Sequence, residues 1–243
     1  MTRRAQTRRS EGRSEGRSEG QGSSTRRQFS ETTRQSLIDQ AAALFADRGY
    51  AGTSLDEVVS RADVTKGALY HHFSGKQDLF HAVFIRTESR AVAEIQGRMA
   101  EEPNAWDRAQ AGVRGFLAAC QQPAYRRIVL QEGPVALGVE VWRETEQRST
   151  LGLIRGVAED LLAEHEVGDP LLEAFAQVFF GALSAGGQAI AEADDAGEAG
   201  ERIAVVLGAL LAGLRRLADS GGELTDATAL PGPRPAASRP DPA

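Results

Sequence analysis

Side chains able to ligate a metal, attack an electrophile or move protons near neutral pH are few in this 243-residue chain. They amount to four histidines, at 71, 72, 81 and 165, and one cysteine, Cys120. His71 and His72 are adjacent, so on a helix they point roughly 100° apart and chelate poorly together. His72 and His81 lie on opposite sides of a helix start, with no carboxylate assured at metal-ligand spacing. Cys120 has no histidine beside it in sequence and lies in an apolar stretch, which describes a buried, inert thiol. A single cysteine excludes an intramolecular disulfide framework and any multi-cysteine zinc or iron–sulfur site. No glycine-rich phosphate loop or Ser-x-x-Lys arrangement is present. The expectation is therefore no enzyme, no metal and no cofactor.

A different chemistry is better represented. Arginine outnumbers lysine 26 to 2, and the two lysines, Lys66 and Lys76, fall ten residues apart beside Thr65, Gly67, Tyr70 and His71. Hydroxyls, ammonium groups and helix amides meet phosphates, while a glycine and an aromatic hydroxyl suit close approach to a groove. These residues need short, well-capped helices to hold them. Ser54-Leu-Asp-Glu57 has the form of a capping box opening a helix through Val58 and Val59 to about Ala62. Thr65 then caps a helix over Lys66–Phe73, and Ser74-Gly-Lys-Gln77 reads as a further capping box opening a long helix that stops before Pro103. Asp63 sits at the turn, where aspartate tolerates a left-handed backbone. Leu69 and Phe73, at i and i+4, face inward and leave Lys66, Gly67, Tyr70 and His71 outward. Residues 54–73 thus have the layout of a helix-turn-helix.

The stretch from Thr53 to Phe73, with Val64-Thr-Lys-Gly-Ala-Leu-Tyr-His-His-Phe73 and then Lys76 and Leu79, resembles the tetracycline-repressor (TetR) family over about residues 31–80. Asp63 stands where that family often has glycine. The resemblance implies that Thr65, Lys66, Gly67, Tyr70 and His71 meet phosphates and base edges. It implies likewise that Thr53, with Ser54, at the start of the second helix and Lys76 at the start of the fourth clamp backbone phosphates. The outward face has no Asn, Gln or Arg for a bidentate base contact, so few direct base hydrogen bonds are expected. Thr65, Ala68 and Tyr70 would make short or apolar contacts, for example to thymine methyl groups. Tyr70 also admits the reading of a core aromatic.

Charge divides the chain. The formal net charge is −6, with residues 1–90 at +4 and residues 91–243 at −10. Most of the cationic excess lies in residues 1–30, at +5, where Arg-Ser-Glu-Gly is repeated three times over 9–20; residues 31–90 carry −1. Residues 1–29 are expected to be a disordered arm, either a supplementary DNA contact or a solubilising tail. The Pro-rich residues 223–243 are expected to be a disordered tail. The arm has no apolar core of a signal peptide, and the longest strongly apolar run, Ile203–Leu214, is too short to span a bilayer. A soluble cytoplasmic protein with no membrane partner is expected.

Between these ends the pattern is helical throughout, with 41% hydrophobic residues to build a core. Helices are expected at about 104–121, 124–132, 135–165, 170–193 and 199–218, with no period-2 strand pattern. The fold expected is all-α: a three-helix DNA-binding domain over 30–80 and a helical effector-binding and dimerisation domain over 81–222. In the second domain Trp106, Phe116, Cys120, Tyr125, Trp142, Phe175 and Phe179 either line a ligand cavity or are core. Gly181, Ala182, Ala185 and Gly186, with Gly208, Ala209, Ala212 and Gly213, would let two helices approach closely. Those helices are either the core of a monomer or, as the resemblance implies, a bundle shared by two copies. The resemblance further implies a homodimer on palindromic double-stranded DNA, most often a repressor, responding to a small-molecule effector.

Overall fold

The computed structural model of the chain describes residues 19–163 and 167–219. Every regular element among them is helical. The N-terminal unit comprises α1 (Glu19–Arg48), α2 (Leu55–Arg61) and α3 (Lys66–His72), followed by the long α4 (Lys76–Ala100). The rest comprises α5 (Ala105–Gln121), α6 (Pro123–Tyr125) running into a π-helix (Arg126–Gln131), α7 (Gly133–Leu137), α8 (Val139–Leu161), α9 (Asp169–Glu192) and α10 (Ala196–Asp219). Residues 1–18, His165 and the Pro-rich tail fall outside the described residues.

Leu37, Ile38, Ala41, Leu44 and Phe45 form the inward stripe of α1 and are buried against Val58, Leu69, Phe73, Leu79 and Phe80. Gly49, at φ +73°, ends α1 in the left-handed region that glycine enters at low cost. The helix begins at Glu19, so residues 19–29 are helical although the sequence pattern reads them as arm. No proline interrupts this stretch, and a helix already anchored by its apolar stripe can propagate outward without a new nucleus. Ser54 and Glu57 form the expected capping box of α2, and the Thr65 hydroxyl accepts from the Ala68 amide to cap α3. Asp63 is the one non-glycine residue with positive φ, 53°, among the described residues.

The expected capping box at Ser74–Gln77 is not formed. Asp78 Oδ2 instead accepts from the backbone amide and hydroxyl of Ser74, at 2.9 and 3.2 Å. Gln77 Nε2 points away and donates to the Ala136 carbonyl at 2.7 Å, tying the start of α4 to α7. An ionised carboxylate is the stronger acceptor at a helix N-terminus, which accounts for the exchange.

Two expected continuous helices are broken. At 124–132 the backbone turns into a π-helix, whose looser carbonyls accept from distant side chains, Trp142 Nε1 to Val129 and Gln188 Nε2 to Leu130, while its own Gln131 Nε2 donates outward to the Ala191 carbonyl of α9. At 135–165 the break is Gly138, φ +84°, which separates α7 from α8. The most apolar long helix is α9 rather than the Ile203–Leu214 run. By length and composition alone α9 could cross a membrane, and it packs against α5, α8 and α10.

Candidate nucleic-acid interface and ligand cavity

Capping fixes the outward face of the three-helix unit. With the Thr65 side chain committed to the Ala68 amide, Lys66, Gly67, Tyr70 and His71 project from the other side of α3 and are exposed. Tyr70 is 60% exposed, which removes the core reading for that ring. Ala68 is half-buried and Ser54 is exposed. Thr53 does not join this face: it is 2% exposed, and its hydroxyl donates to the Gly49 carbonyl at 2.9 Å. Its hydroxyl closes the α1–α2 turn, because the position just before the α2 cap packs under the end of α1.

Two contacts on this face were not legible beforehand. Lys66 Nζ pairs with the Asp56 carboxylate of α2 at 2.8 Å, with both side chains exposed. That pairing raises the affinity of Lys66 for its proton, first by the hydrogen bond and then by the charge of Asp56. Lys76 Nζ lies 4.6 Å from the Tyr50 ring centroid and donates to the Ala51 carbonyl at 3.4 Å. Tyr50 meets Phe80 edge-on at 5.2 Å, so the ammonium is held over an aromatic pair anchored in the core. Glu57 is held below the usual carboxylate range chiefly by the Ser54 amide, with its side chain and Arg48 adding to it.

In the second half an apolar cavity of about 70 Å³ lies between α4, α5, α8 and α9. Four of the expected aromatics line it: Phe116, Tyr125, Phe175 and Phe179, the last two stacked with centroids 5.7 Å apart. Three do not. Trp106 packs at the surface under Arg215, Cys120 is fully buried beside Gly187, and Trp142 is buried with its indole committed to Val129. Their apolar character did satisfy a core, but on other faces of their helices. Burial pushes the Cys120 thiol far above its ordinary pKa, so it is no thiolate.

The cavity contains a feature absent from the expected site. Glu88 of α4 lines it, 3% exposed, and Glu146 of α8, 6% exposed, lies one turn from the lining residue Thr150. In each, Oε2 has no hydrogen-bond partner. Burial raises both to about 8, with the charge of Glu146 adding to the rise at Glu88. A sequence cue existed: Phe84, Glu88, Ala91 and Ile95 recur at helical spacing, so a carboxyl sits in an otherwise apolar stripe.

The small residues divide. Gly181 and Ala185 of α9 and Gly208, Ala209, Ala212 and Gly213 of α10 are exposed, and Ala182 is half-buried. Gly186 is instead buried within the protomer, where a Cβ would come 2.8 Å from Ile203 of α10. It serves the α9–α10 contact. No group of three or more His, Cys, Asp or Glu is placed to hold a metal among the described residues.

Capped short helices presenting cations and an aromatic outward, joined by one long helix to a helical unit, define a helix-turn-helix DNA-binding regulator. Two family models fall on the two units: bacterial regulatory proteins, tetR family, over residues 37–83, and tetracyclin repressor-like, C-terminal domain, over 106–214. The chain is 29% identical over 140 residues to the transposon Tn10 TetC protein of Escherichia coli, covering 56% of this chain and 69% of that protein. It is 43% identical over 70 residues to the HTH-type transcriptional regulator AcrR of Shigella flexneri, covering 29% of this chain and only 32% of that protein. A solved TetR-family transcriptional regulator from Pectobacterium atrosepticum matches with a TM-score of 0.68 at 29% identity, covering 77% of this chain and 96% of the other. The chain belongs to the tetracycline-repressor family of transcriptional regulators.

Proposed function

We propose that the protein is a homodimeric repressor that binds a palindromic operator and is released by a small-molecule effector. The observation that carries this reading is the continuity of α4. Its first residue is Lys76, at the edge of the outward face, and its later turns supply Glu88, Ala91, Val92, Ile95 and Met99 to the cavity wall. A ligand that moves the wall therefore moves the reading face.

On DNA, α3 enters the major groove. Tyr70 and Ala68 meet base edges or methyl groups, while Thr65, Lys66, Gly67 and His71 contact phosphate and sugar. Ser54, at the N-terminus of α2, and Lys76 flank them on the backbone. Two copies pair through the exposed faces of α9 and α10, where Gly181, Ala185, Ala209, Ala212 and Gly213 allow close approach beside Val205, Val206 and Leu210, all more than half exposed. Such a dimer places two reading heads on one DNA face, with half-sites separated by whole helical turns. Repression follows from occupying a promoter, since exclusion of polymerase needs no activating surface.

The effector acts by population shift. It binds best to the form with an enlarged cavity and lowers operator affinity by the ratio of its affinities for the two forms. The cavity of about 70 Å³ is roughly half the ~150 Å³ that accommodates benzene in an engineered apolar site, so occupation must spread its walls. The test is a footprint over DNA flanking the protein's own gene, with band-shift titrations and sedimentation. Protection of one short palindrome by a dimer is expected. Uniform protection, or binding as a monomer, would overturn the reading.

A further inference from the structure

We propose that the cavity binds a lipophilic organic cation, whose charge is met by Glu88 on its wall with Glu146 behind it, and whose apolar body lies against Phe116, Phe175 and Phe179. This deepens the effector reading above and rests on it.

Two carboxyls buried beyond nine-tenths, each with an oxygen lacking a partner, are costly in an apolar core. Apart from Glu88, Thr150 and the Tyr125 hydroxyl the lining of the cavity is apolar or aromatic, and Glu146 lies behind it, one helical turn from Thr150. The arrangement is poor for a fatty acid or another anion, because the lining offers no cation to meet the negative charge and the pair repels it once ionised. It is poor for a purely apolar guest, which leaves the two oxygens unpaired. A quaternary or protonated amine resolves both problems, since ion pairing replaces lost hydration and the aromatic faces attract the cation further.

The charged and titratable groups around the pair leave this role open. From α5, Cys120 is kept neutral by burial, and from α6 so is Tyr125, pushed well above its ordinary range. From α8, Arg143 lowers Glu146 slightly against the larger effect of burial, but its own side chain is exposed. His81 of α4 lies beside Thr145 of α8 at 3.4 Å, and α9 and α10 bring only Phe175, Phe179, Leu183 and Leu211 to the lining. A bound cation therefore expels protons from the pair: the carboxyls release H⁺ to solvent and remain as carboxylates against the ammonium.

The test uses the full chain and two probes of nearly the same shape, benzyltrimethylammonium and its neutral isostere neopentylbenzene. The cation is permanent, so any pH dependence of its binding belongs to the protein. We expect it to bind at least about tenfold more tightly than the isostere at pH 8.5. Its binding should weaken toward pH 6.5, with proton release visible as a buffer-dependent heat. Glu88→Gln and Glu146→Gln should each lose about tenfold or more, with melting temperatures confirming that both variants fold. Equal binding of the two probes, no binding of the cation, or indifference to both substitutions overturns the proposal. Operator release by the neutral isostere alone would defeat the cation assignment while leaving the effector reading intact. A probe that binds without releasing DNA would defeat the effector reading instead.

Discussion

Lys66 Nζ of α3 lies 2.8 Å from Asp56 Oδ1 of α2, and both side chains are more than half exposed on the face proposed to meet DNA. An exposed pair of this kind contributes little to folding. Its importance lies in competition, because phosphate and Asp56 cannot both hold the ammonium in the same geometry, and Asp56 also repels the backbone.

Asp56→Asn is therefore expected to tighten DNA binding by about threefold to tenfold at low salt, across specific and nonspecific sequences alike. Lys66→Ala should weaken both and reduce the salt slope by about one. Salt titrations of a labelled duplex check this, and unchanged binding in Asp56→Asn would mean that the pair persists on DNA.

Tyr70 supplies a second expectation. Its ring makes no core contribution at 60% exposure, so Tyr70→Ala should alter stability by less than about 0.5 kcal/mol. Operator binding should fall by about fivefold or more, while nonspecific affinity changes less. Thr53→Val should do the reverse. Its buried hydroxyl closes the α1–α2 turn, so stability drops by about 1–3 kcal/mol, and affinity falls only as far as folding does.

The buried carboxyls give a pH dependence with a definite sign. Both are raised from 4.5 to about 8, so the folded form holds protons that the unfolded chain has released. Their contribution to stability is full below about pH 4.5 and falls as pH rises toward about 8. Relative to wild type, Glu88→Gln should gain stability progressively between those limits and gain nothing more above them. Urea unfolding of both proteins at several pH values measures the difference directly; a gap that stays constant with pH contradicts the assignment.

Packing at the junction of the two units is tight enough to test by one methyl group. A Cβ at Gly133 would meet Trp142 at 2.9 Å and Phe84 at 3.0 Å, so Gly133→Ala should cost about 1–3 kcal/mol. Phe80→Ala, which empties the space beneath Tyr50 and Lys76, should cost roughly 3–5 kcal/mol. Thermal or chemical denaturation decides both.

The proposed dimer face makes a separate prediction. Leu210→Glu places a charge on an exposed strip of α10 and should produce a folded monomer with weakened operator binding. Sedimentation equilibrium reads the first effect and band shifts the second. An unaltered dimer would move the interface elsewhere.

Much of the local chemistry that depends on neighbours in sequence was readable in advance, the Asp78 cap on Ser74 excepted. The Ser54–Glu57 box, the Thr65 cap and the left-handed Asp63 are each satisfied within a few residues, and the three-helix unit follows from them. What was not readable depended on distant partners. Gln77, displaced from its expected cap by Asp78, donates to the distant Ala136 carbonyl, and the helix expected at 124–132 loosens where Trp142 and Gln188 take up its backbone carbonyls and Gln131 reaches Ala191. Composition identified aromatics in the second half but could not say which face of each helix they occupied. Phe175 and Phe179 therefore reach the cavity while Trp106 and Trp142 do not. Glu88, by contrast, is marked in the sequence itself as a carboxyl within the apolar stripe Phe84, Ala91 and Ile95 of α4.

The twelve steps along α4 from Lys76 to Glu88 span about 18 Å at 1.5 Å per residue. A tilt of only about 5° pivoting at Glu88 would thus carry Lys76 sideways by roughly 1.6 Å, half the length of a hydrogen bond. In the proposed dimer, two heads tilting in opposite senses would double the mismatch across an operator. An angular change too slight to disturb any single packing contact would in this way be enough to put both heads of the proposed dimer out of register with a duplex whose groove spacing is fixed.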